Sequence, residues 1–157
     1  MSAAIAPSSD AAALAALHAA AFARPWDEAA FTGLLAKPQV TALASAQGFI
    51  LLQHVPSGKN TGTDADKESA VALTVEAEIL TLAVHPEARR QGLARRLISV
   101  AIDHLAVEKM FLEVAEDNHA AMALYQACGF AESGRRAGYY KNTDGSRSDA
   151  LLMQAFF

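Results

Sequence analysis

The chain has 157 residues, of which 52% are hydrophobic and 19% charged, so it is not a disordered protein and we expect a single domain over residues 1–157. Its formal charge of -4 argues against a nucleic-acid partner, and its one cysteine excludes an internal disulfide. The longest apolar stretch without a charge, residues 11–23, is too short to cross a membrane and lacks the preceding basic residues of a secretory signal, so we expect a cytoplasmic protein.

The first half of the chain predicts two helices and a hairpin. Asp10 and Asp27 can each cap a helix, which places one helix at about residues 10–22 and a shorter one before Pro38. Two short apolar runs, at residues 40–45 and 49–55, then predict a β-hairpin. The next stretch, residues 56–69, has almost no apolar side chain and predicts a solvated, mobile loop.

The second half predicts strands that alternate with helices. A β-rich segment at residues 72–84 ends before Pro86 and is followed by a long amphipathic helix at about 90–108. Alternating residues predict a strand at 110–115, and a helix at 118–128 ends at Gly129. The last two strands are predicted at 130–141 and 149–157.

The segment RRQGLARR, at residues 89–96, lies where a strand ends and a helix begins. Its four arginines are predicted to fall in the first two helical turns, where the helix dipole disfavours cations, so we expect a bound anion there. Gly92 and Ala94 have little bulk, which lets backbone N–H groups approach a phosphate closely. The alternative is a solvated basic face with a small residue for helix packing.

Three polar residues form a second candidate site. Glu113 lies among apolar neighbours on a predicted strand, and a partly buried carboxylate there is a candidate general base. Asn118 and Tyr125 are seven residues apart, so two helical turns would bring them to one face. The alternatives are an exposed edge-strand position for Glu113 and a core aromatic role for Tyr125.

Together these segments resemble the GNAT acetyltransferases. The resemblance is carried, at the family's spacing, by ILTLAV at residues 79–84, Arg89-x-x-Gly92-x-Ala94, LEV at 112–114, and the pattern from Asn118 to Phe130. Three further features resemble the RimI branch of the family, the bacterial ribosomal-protein alanine N-acetyltransferases. They are Pro25-Trp26, the twelve-residue interval between Glu113 and Tyr125, and RAGYY at 136–140. The resemblance implies an α/β (α+β) fold, whose mixed, mostly antiparallel sheet is splayed at the cofactor site and flanked by helices.

The resemblance also implies roles for individual residues, with acetyl-CoA as the acetyl donor and no metal. The backbone of Leu82, Ala83 and Val84 would pair with the pantetheine arm, and Asn118 would contact the same region. The pyrophosphate would be held by Arg90, Gln91, Gly92, Leu93, Ala94 and Arg95. Glu113 would take a proton from the acceptor amine, directly or through water, and Tyr125 would protonate the leaving thiolate. The acceptor groove would be walled by Trp26, Arg136, Tyr139 and Tyr140.

The acceptor implied by the resemblance is a protein or peptide N-terminus, most specifically the N-terminal alanine of a small-subunit ribosomal protein. Two other functions stay open, an acetyltransferase for lysine or a small amine and an acyl-CoA-binding module without turnover. We expect a monomer or weak dimer with no nucleic-acid or membrane partner. The five histidines show no metal-ligand spacing and are interpreted mostly as surface or strand-end residues, and Cys128 is interpreted as a packing residue.

Overall fold

The computed structural model describes residues 4–57 and 74–157. In these ranges the chain forms strands β1 (Ala6–Pro7), β2 (Val40–Ser45), β3 (Gly48–Ser57), β4 (Thr74–Val84), β5 (Lys109–Ala115), β6 (Ala131–Lys141) and β7 (Arg147–Phe156). The helices are α1 (Ala11–Ala21), α2 (Glu28–Leu35), α3 (Leu93–Leu105) and α4 (His119–Ala127), with a short 3-10 turn at Pro86–Ala88 before α3.

The described strands form one sheet in the order β1-β2-β3-β4-β5-β7-β6. Every neighbouring pair is antiparallel except β4 and β5, which run parallel. A parallel pair needs a long crossover connection, and α3 lies between these two strands in the chain. The expected mixed, mostly antiparallel sheet flanked by helices is therefore confirmed.

Strands β4 and β5 are paired over a short length. Their register joins Glu76–Glu78 to Lys109–Phe111 and then stops. On the other side of β4, the register with β3 shifts between Leu51 and Leu52, which leaves Leu80 as an extra residue, a β-bulge. Beyond this point the two parallel strands are separated, and we call the space between them the β4–β5 gap.

Side-chain caps set the start of three helices. The carboxylates of Asp10 and Asp27 and the amide oxygen of Asn118 each accept a hydrogen bond from the backbone N–H three residues later. Helix α3 differs, because it begins after Gly92, which has no side chain to cap it. The predicted placement of all four arginines in the first two helical turns is therefore wrong, since Arg89 and Arg90 precede the helix.

Two apolar cores cover the two faces of the sheet. On one face α1 and α2 pack over a cluster that includes Leu14, Phe31 and Phe49. On the other face a larger cluster joins α3 and α4 to the sheet through residues such as Leu97 and Met110. This arrangement buries the apolar side of each helix and leaves the β4–β5 gap between the two cores.

The predicted helices and strands are present and differ from the structure at their ends, and the structure adds one short strand. The short strand β1 was not predicted, because two residues carry no detectable periodicity. Pro56 and Ser57, assigned to a loop, continue strand β3 and pair with Val75 and Thr74. Residues 58–69, the rest of the predicted mobile loop, lie outside the described residues. No helix in the described ranges is long and apolar enough to span a membrane.

Gly48 provides a test of the packing between the hairpin and β4. A Cβ built at Gly48 would lie 2.9 Å from the carbonyl oxygen of Ala83 and 3.0 Å from a methyl group of Leu93. Because a backbone carbonyl cannot rotate away as a side chain can, we expect Gly48→Ala to lower the free energy of unfolding by about 1–3 kcal/mol. Thermal and denaturant unfolding would measure the loss.

Gly33→Ala is the matched control, because a Cβ at Gly33 meets nothing within 4 Å and the residue lies inside helix α2. Alanine favours a helix over glycine, so this variant should gain about 0.5–1 kcal/mol. Equal stabilities for the two variants would contradict the packing argument.

Candidate active site

A cavity of about 280 Å³ opens in the β4–β5 gap. The residues around it include Leu80, Thr81 and Leu82 of β4, Glu113, Val114 and Ala115 of β5, Asn118, Ala121 and Tyr125 at α4, and the aromatic residues Phe22 and Tyr140. We call it the gap cavity. It brings together side chains of Glu113, Asn118, Tyr125 and Tyr140 that the sequence places in separate segments.

A second groove, of about 220 Å³, lies at the start of α3. It is lined by Val84, Ala88, Arg89, Arg90, Gly92, Leu93, Ala94, Arg95 and Leu124, and we call it the arginine groove. Five of the six residues predicted to hold a pyrophosphate line it. Gln91 does not, and its side-chain amide donates to the carbonyl oxygen of Glu87 instead.

The backbone around the arginine groove has an unusual conformation. Gly92 has a φ of 78°, in the left-handed region, and Arg90 has a φ of 62°. A Cβ at Gly92 would meet nothing within 4 Å, so glycine is needed here for its φ and not for space. This turn starts α3 without a capping side chain, so its first N–H groups can serve an anion.

The chemistry of the arginine groove suits a diphosphate. Three guanidinium groups line it, and guanidinium binds phosphate through two parallel hydrogen bonds. The Arg89 side chain is held in place by two hydrogen bonds, which it donates to the carbonyl oxygens of Val84 and Ala21, both at 3.4 Å. The residues present therefore fit the diphosphate of a coenzyme A donor.

Glu113 carries an ion pair with Arg136. The distance from Arg136 Nη2 to Glu113 Oε1 is 3.0 Å, and the Glu113 side chain is 23% exposed. The Arg136 guanidinium lies 5.3 Å from the centre of the Tyr139 ring, and Tyr139 packs edge to face with Tyr140 at 5.1 Å. The three residues predicted on β6 as walls of the acceptor groove thus form one chain of contacts ending at Glu113.

Tyr125 belongs to both the core and the cavity. The residue is 8% exposed, and its ring packs against Phe130 with 5.7 Å between ring centres. Burial, with a smaller contribution from Cys128, raises the pKa of the Tyr125 phenol to about 12. The group therefore holds its proton at neutral pH, as a general acid must.

Asn118 reaches the gap cavity in a different way from the one predicted. It does not share a helical face with Tyr125, because it is the capping residue that precedes α4. Its side-chain oxygen accepts from the N–H of Ala121 at 3.2 Å. Both Asn118 and Tyr125 nevertheless line the gap cavity, and the Asn118 amide N–H groups remain as donors for a ligand.

Trp26 lies in the segment between α1 and α2 and is 37% exposed. It does not line the gap cavity, whereas Phe22 from the same segment does. The Trp26 ring stacks on His18 with 5.0 Å between ring centres. His18 is 3% exposed and is thus an exception to the surface or strand-end position expected for most of the histidines.

Glu78, which no sequence motif singles out, lies on the same face of the sheet as Glu113. Glu78 is paired with Phe111, two residues before Glu113 on the neighbouring strand, so the two carboxylates are diagonal neighbours. Burial raises the pKa of Glu78, the charge of Glu113 raises it further, and Arg136 opposes both. Only the strand register reveals this pair, because nothing in the residue pattern predicts it.

Two further predictions concern metal and cysteine chemistry. The described residues contain no group of three or more His, Cys, Asp or Glu side chains that could hold a metal ion.

Cys128 packs against the larger core, and burial raises the pKa of its thiol despite the opposing effect of Arg95. That environment agrees with a packing role and not with a reactive thiolate.

The sheet opens between its two parallel strands, and α3 begins near this opening without a side-chain cap and beside three arginines. These features are typical of an acetyl-CoA-dependent acetyltransferase fold. Residues 46–130 match the family model described as "Acetyltransferase (GNAT) family", and the chain belongs to this family.

Two curated relatives and one solved structure show which members of the family this chain is similar to. A curated relative from Escherichia coli, named [Ribosomal protein bS18]-alanine N-acetyltransferase, is 43% identical over 98 residues, which cover 58% of this chain and 66% of the relative. N-alpha-acetyltransferase RimI of Mycobacterium tuberculosis is 32% identical over 130 residues, or 83% of this chain and 75% of that protein. The crystal structure of the Escherichia coli ribosomal-protein-S18-alanine N-acetyltransferase has a TM-score of 0.74 at 31% identity and covers 98% of this chain and 92% of that one.

The raised pKa of Tyr125 can be measured directly. In a spectrophotometric titration of tyrosine ionisation, the wild type should contain one group with an apparent pKa of about 12 that Tyr125→Phe lacks. Because the folded state favours the neutral phenol, Tyr125 stabilises the fold fully below pH 10, and this contribution is lost as the pH rises toward 12. Identical titration curves for the two proteins would contradict the burial argument.

Proposed function

We propose that this chain transfers the acetyl group of acetyl-CoA to the α-amino group of a protein N-terminus, with the N-terminal alanine of a small-subunit ribosomal protein as its acceptor. The observation that carries the proposal is that Glu113 and Tyr125 line one cavity in the β4–β5 gap. The printed names of the Escherichia coli and Mycobacterium tuberculosis relatives support the choice of acceptor.

The donor would lie across the arginine groove and into the β4–β5 gap. Arg90 and Arg95 would neutralise its diphosphate, and the N–H groups at the start of α3 would bind the phosphate oxygens. The backbone of Leu82, Ala83 and Val84 is not paired with β5, so this edge of β4 can hydrogen-bond the amides of the pantetheine arm. Asn118 offers an amide from the opposite side of the gap.

Glu113 and Tyr125 would divide the proton transfers between them. Glu113 takes a proton from the acceptor nitrogen, directly or through water, and the neutral amine forms a bond to the acetyl carbon. As the carbon–sulfur bond breaks, Tyr125 gives its proton to the sulfur. The nitrogen loses its second proton once it is bonded to the acetyl carbon, and that proton returns through water to the Tyr125 phenolate. Because Arg136 already pairs with Glu113, the acceptor ammonium exchanges with the Arg136 guanidinium when it binds.

The acidity of the acceptor favours an α-amine over a lysine. An α-amino group has a pKa of about 7.7–8.0 and a lysine about 10.4, so near pH 7 roughly a tenth of the first and under a thousandth of the second is neutral. One carboxylate such as Glu113 can deprotonate the α-amine readily, whereas lysine costs about 3 kcal/mol more. A binding module without turnover would need neither an acid nor a base in the gap cavity.

Donor binding should depend on the arginine groove. A charge-assisted contact to phosphate contributes about 1.5–3 kcal/mol, so Arg90→Ala or Arg95→Ala should weaken acetyl-CoA binding by about tenfold or more in calorimetry. Lys37→Ala, which removes an exposed cation after α2, is the matched control and should bind as the wild type does. If the folded wild type bound no acetyl-CoA, the proposed function would be wrong.

Glu113→Gln keeps the shape of the carboxylate and removes the base. We expect the acetylation rate to fall by about 10² or more at neutral pH, with partial recovery at high pH as the free amine deprotonates unaided. Glu132→Gln, at an exposed carboxylate of β6 that pairs with Arg135, is the control and should keep the wild-type rate. A wild-type rate in Glu113→Gln would remove Glu113 from the mechanism.

A direct comparison of acceptors tests the proposed substrate. A peptide that begins with alanine should be acetylated faster than the same peptide with a blocked N-terminus and an internal lysine, because only the first presents an amine of low pKa. Mass spectrometry of the products would locate the acetyl group. Faster acetylation of the blocked peptide would replace the proposal with lysine acetylation.

A further inference from the structure

His18 occupies the centre of the aromatic cluster on the α1–α2 face of the sheet. It is 3% exposed, and its ring stacks on Phe22 and Trp26, with Phe31 and Phe49 in contact at 5.5 and 6.3 Å between ring centres. A phenylalanine ring would pack among these four aromatic side chains at least as well as the imidazole of His18 does. The polar nitrogens of His18 therefore need another explanation.

Both ring nitrogens of His18 have partners. The backbone N–H of Trp26 donates to Nδ1 at 3.0 Å, and Nε2 lies 3.2 Å from the hydroxyl oxygen of Thr81. Because a backbone N–H can only donate, Nδ1 carries no proton, and the neutral ring must have its proton on Nε2, which donates to Thr81. The contacts therefore require the neutral form of His18 in one tautomer.

These two hydrogen bonds join the two sides of the candidate site. Trp26 belongs to the segment between α1 and α2, which also supplies Phe22 to the gap cavity. Thr81 follows the β-bulge of β4 and lines the same cavity. His18 thus ties the segment predicted to bind the acceptor to the strand predicted to bind the donor.

We propose that neutral His18 is a positioning residue that holds the Trp26 segment against Thr81 and so forms the acceptor-binding wall, which opens when the imidazole is protonated. The inference rests on the proposed function, since it assigns the acceptor to this side of the gap cavity. His18 does not touch the reacting atoms, so its loss should act on acceptor binding and leave donor binding intact.

The surroundings of His18 set the direction of its pH dependence. The aromatic rings and hydrogen-bonding groups that meet its ring are those of Phe22, Trp26, Phe31, Phe49 and Thr81, and all are neutral. Charged residues on neighbouring segments include Arg24, Asp27 and Glu28 near Trp26, and Arg89, which reaches the end of α1.

Burial alone lowers the pKa of His18 below 6.5. The neutral ring is the form that makes both hydrogen bonds. Their contribution is therefore present above pH 6.5 and is lost as the pH falls through the lowered pKa of His18.

Trp26 is the only tryptophan in the chain, so its fluorescence reports this contact. A protonated imidazole quenches an indole in contact with it, and an opened segment exposes the indole to water. We expect the emission of the wild type to change as the pH is lowered from 7 through the lowered pKa of His18, and that of His18→Asn to stay constant. Unchanged wild-type emission down to the pH at which the protein unfolds would overturn the proposal.

Two variants separate positioning from packing. His18→Asn keeps an acceptor near the position of Nδ1 and should hold the acceptor KM within about threefold of the wild type at pH 7.5. His18→Phe keeps the stacked ring but neither hydrogen bond, and should raise the acceptor KM by about tenfold with acetyl-CoA affinity and kcat within about twofold. An unchanged acceptor KM in folded His18→Phe would also overturn the proposal.

The pH dependence of acceptor binding completes the test. Because wild type and His18→Asn are assayed with the same alanine-initiated peptide, the ratio of their KM values cancels the titration of its amine. This ratio should rise below pH 6.5, and a constant ratio would contradict the role of His18. If the chain acetylated no peptide, the proposed function would fail, while the fluorescence of Trp26 would still decide whether neutral His18 holds the segment.

Discussion

Strands β4 and β5 are paired over only three residues each, and the candidate site follows from where that pairing stops. Beyond Glu78 and Phe111, the backbone N–H and C=O groups of β4 that would otherwise meet β5 face the β4–β5 gap. Residues three apart on a regular strand face opposite sides of the sheet. Because of the bulge at Leu80, Ile79 and Leu82 instead pack into the same core. Backbone groups inside a protein need partners, and the amides of an extended ligand can supply them.

The arginine groove and the gap cavity differ in charge, and the proposed function assigns a different ligand to each. At the start of α3 the arginine groove concentrates positive charge, which suits the proposed diphosphate, although the chain as a whole has a formal charge of -4. In the gap cavity, Glu113 is 23% exposed and pairs with Arg136, which the acceptor ammonium would replace in the proposed mechanism. Tyr125 lines the same cavity in an environment that keeps its phenol neutral.

Local signals in the sequence were sufficient for most of the fold. Asp10 and Asp27 were recognisable as capping residues, and each one caps a helix through its side chain. Asn118 was predicted inside α4 and is instead a third cap. The alternation in β5 likewise predicted the strand, and in the structure its even-numbered residues face the core. The start of α3 was placed too early, because a glycine with positive φ ends the preceding turn without any change in apolar pattern.

The sequence by itself determined the chemistry available to this protein: an arginine motif at a strand-to-helix junction, and a carboxylate and a phenol at a spacing that resembles one acetyltransferase family. Only the tertiary structure decided which of these groups meet. Arg136 reaches Glu113 across β7, and Glu78 becomes its neighbour through strand register. His18 receives both of its partners from other segments. The physical reason is that capping and periodicity act within a few residues, whereas such contacts depend on sheet order and packing.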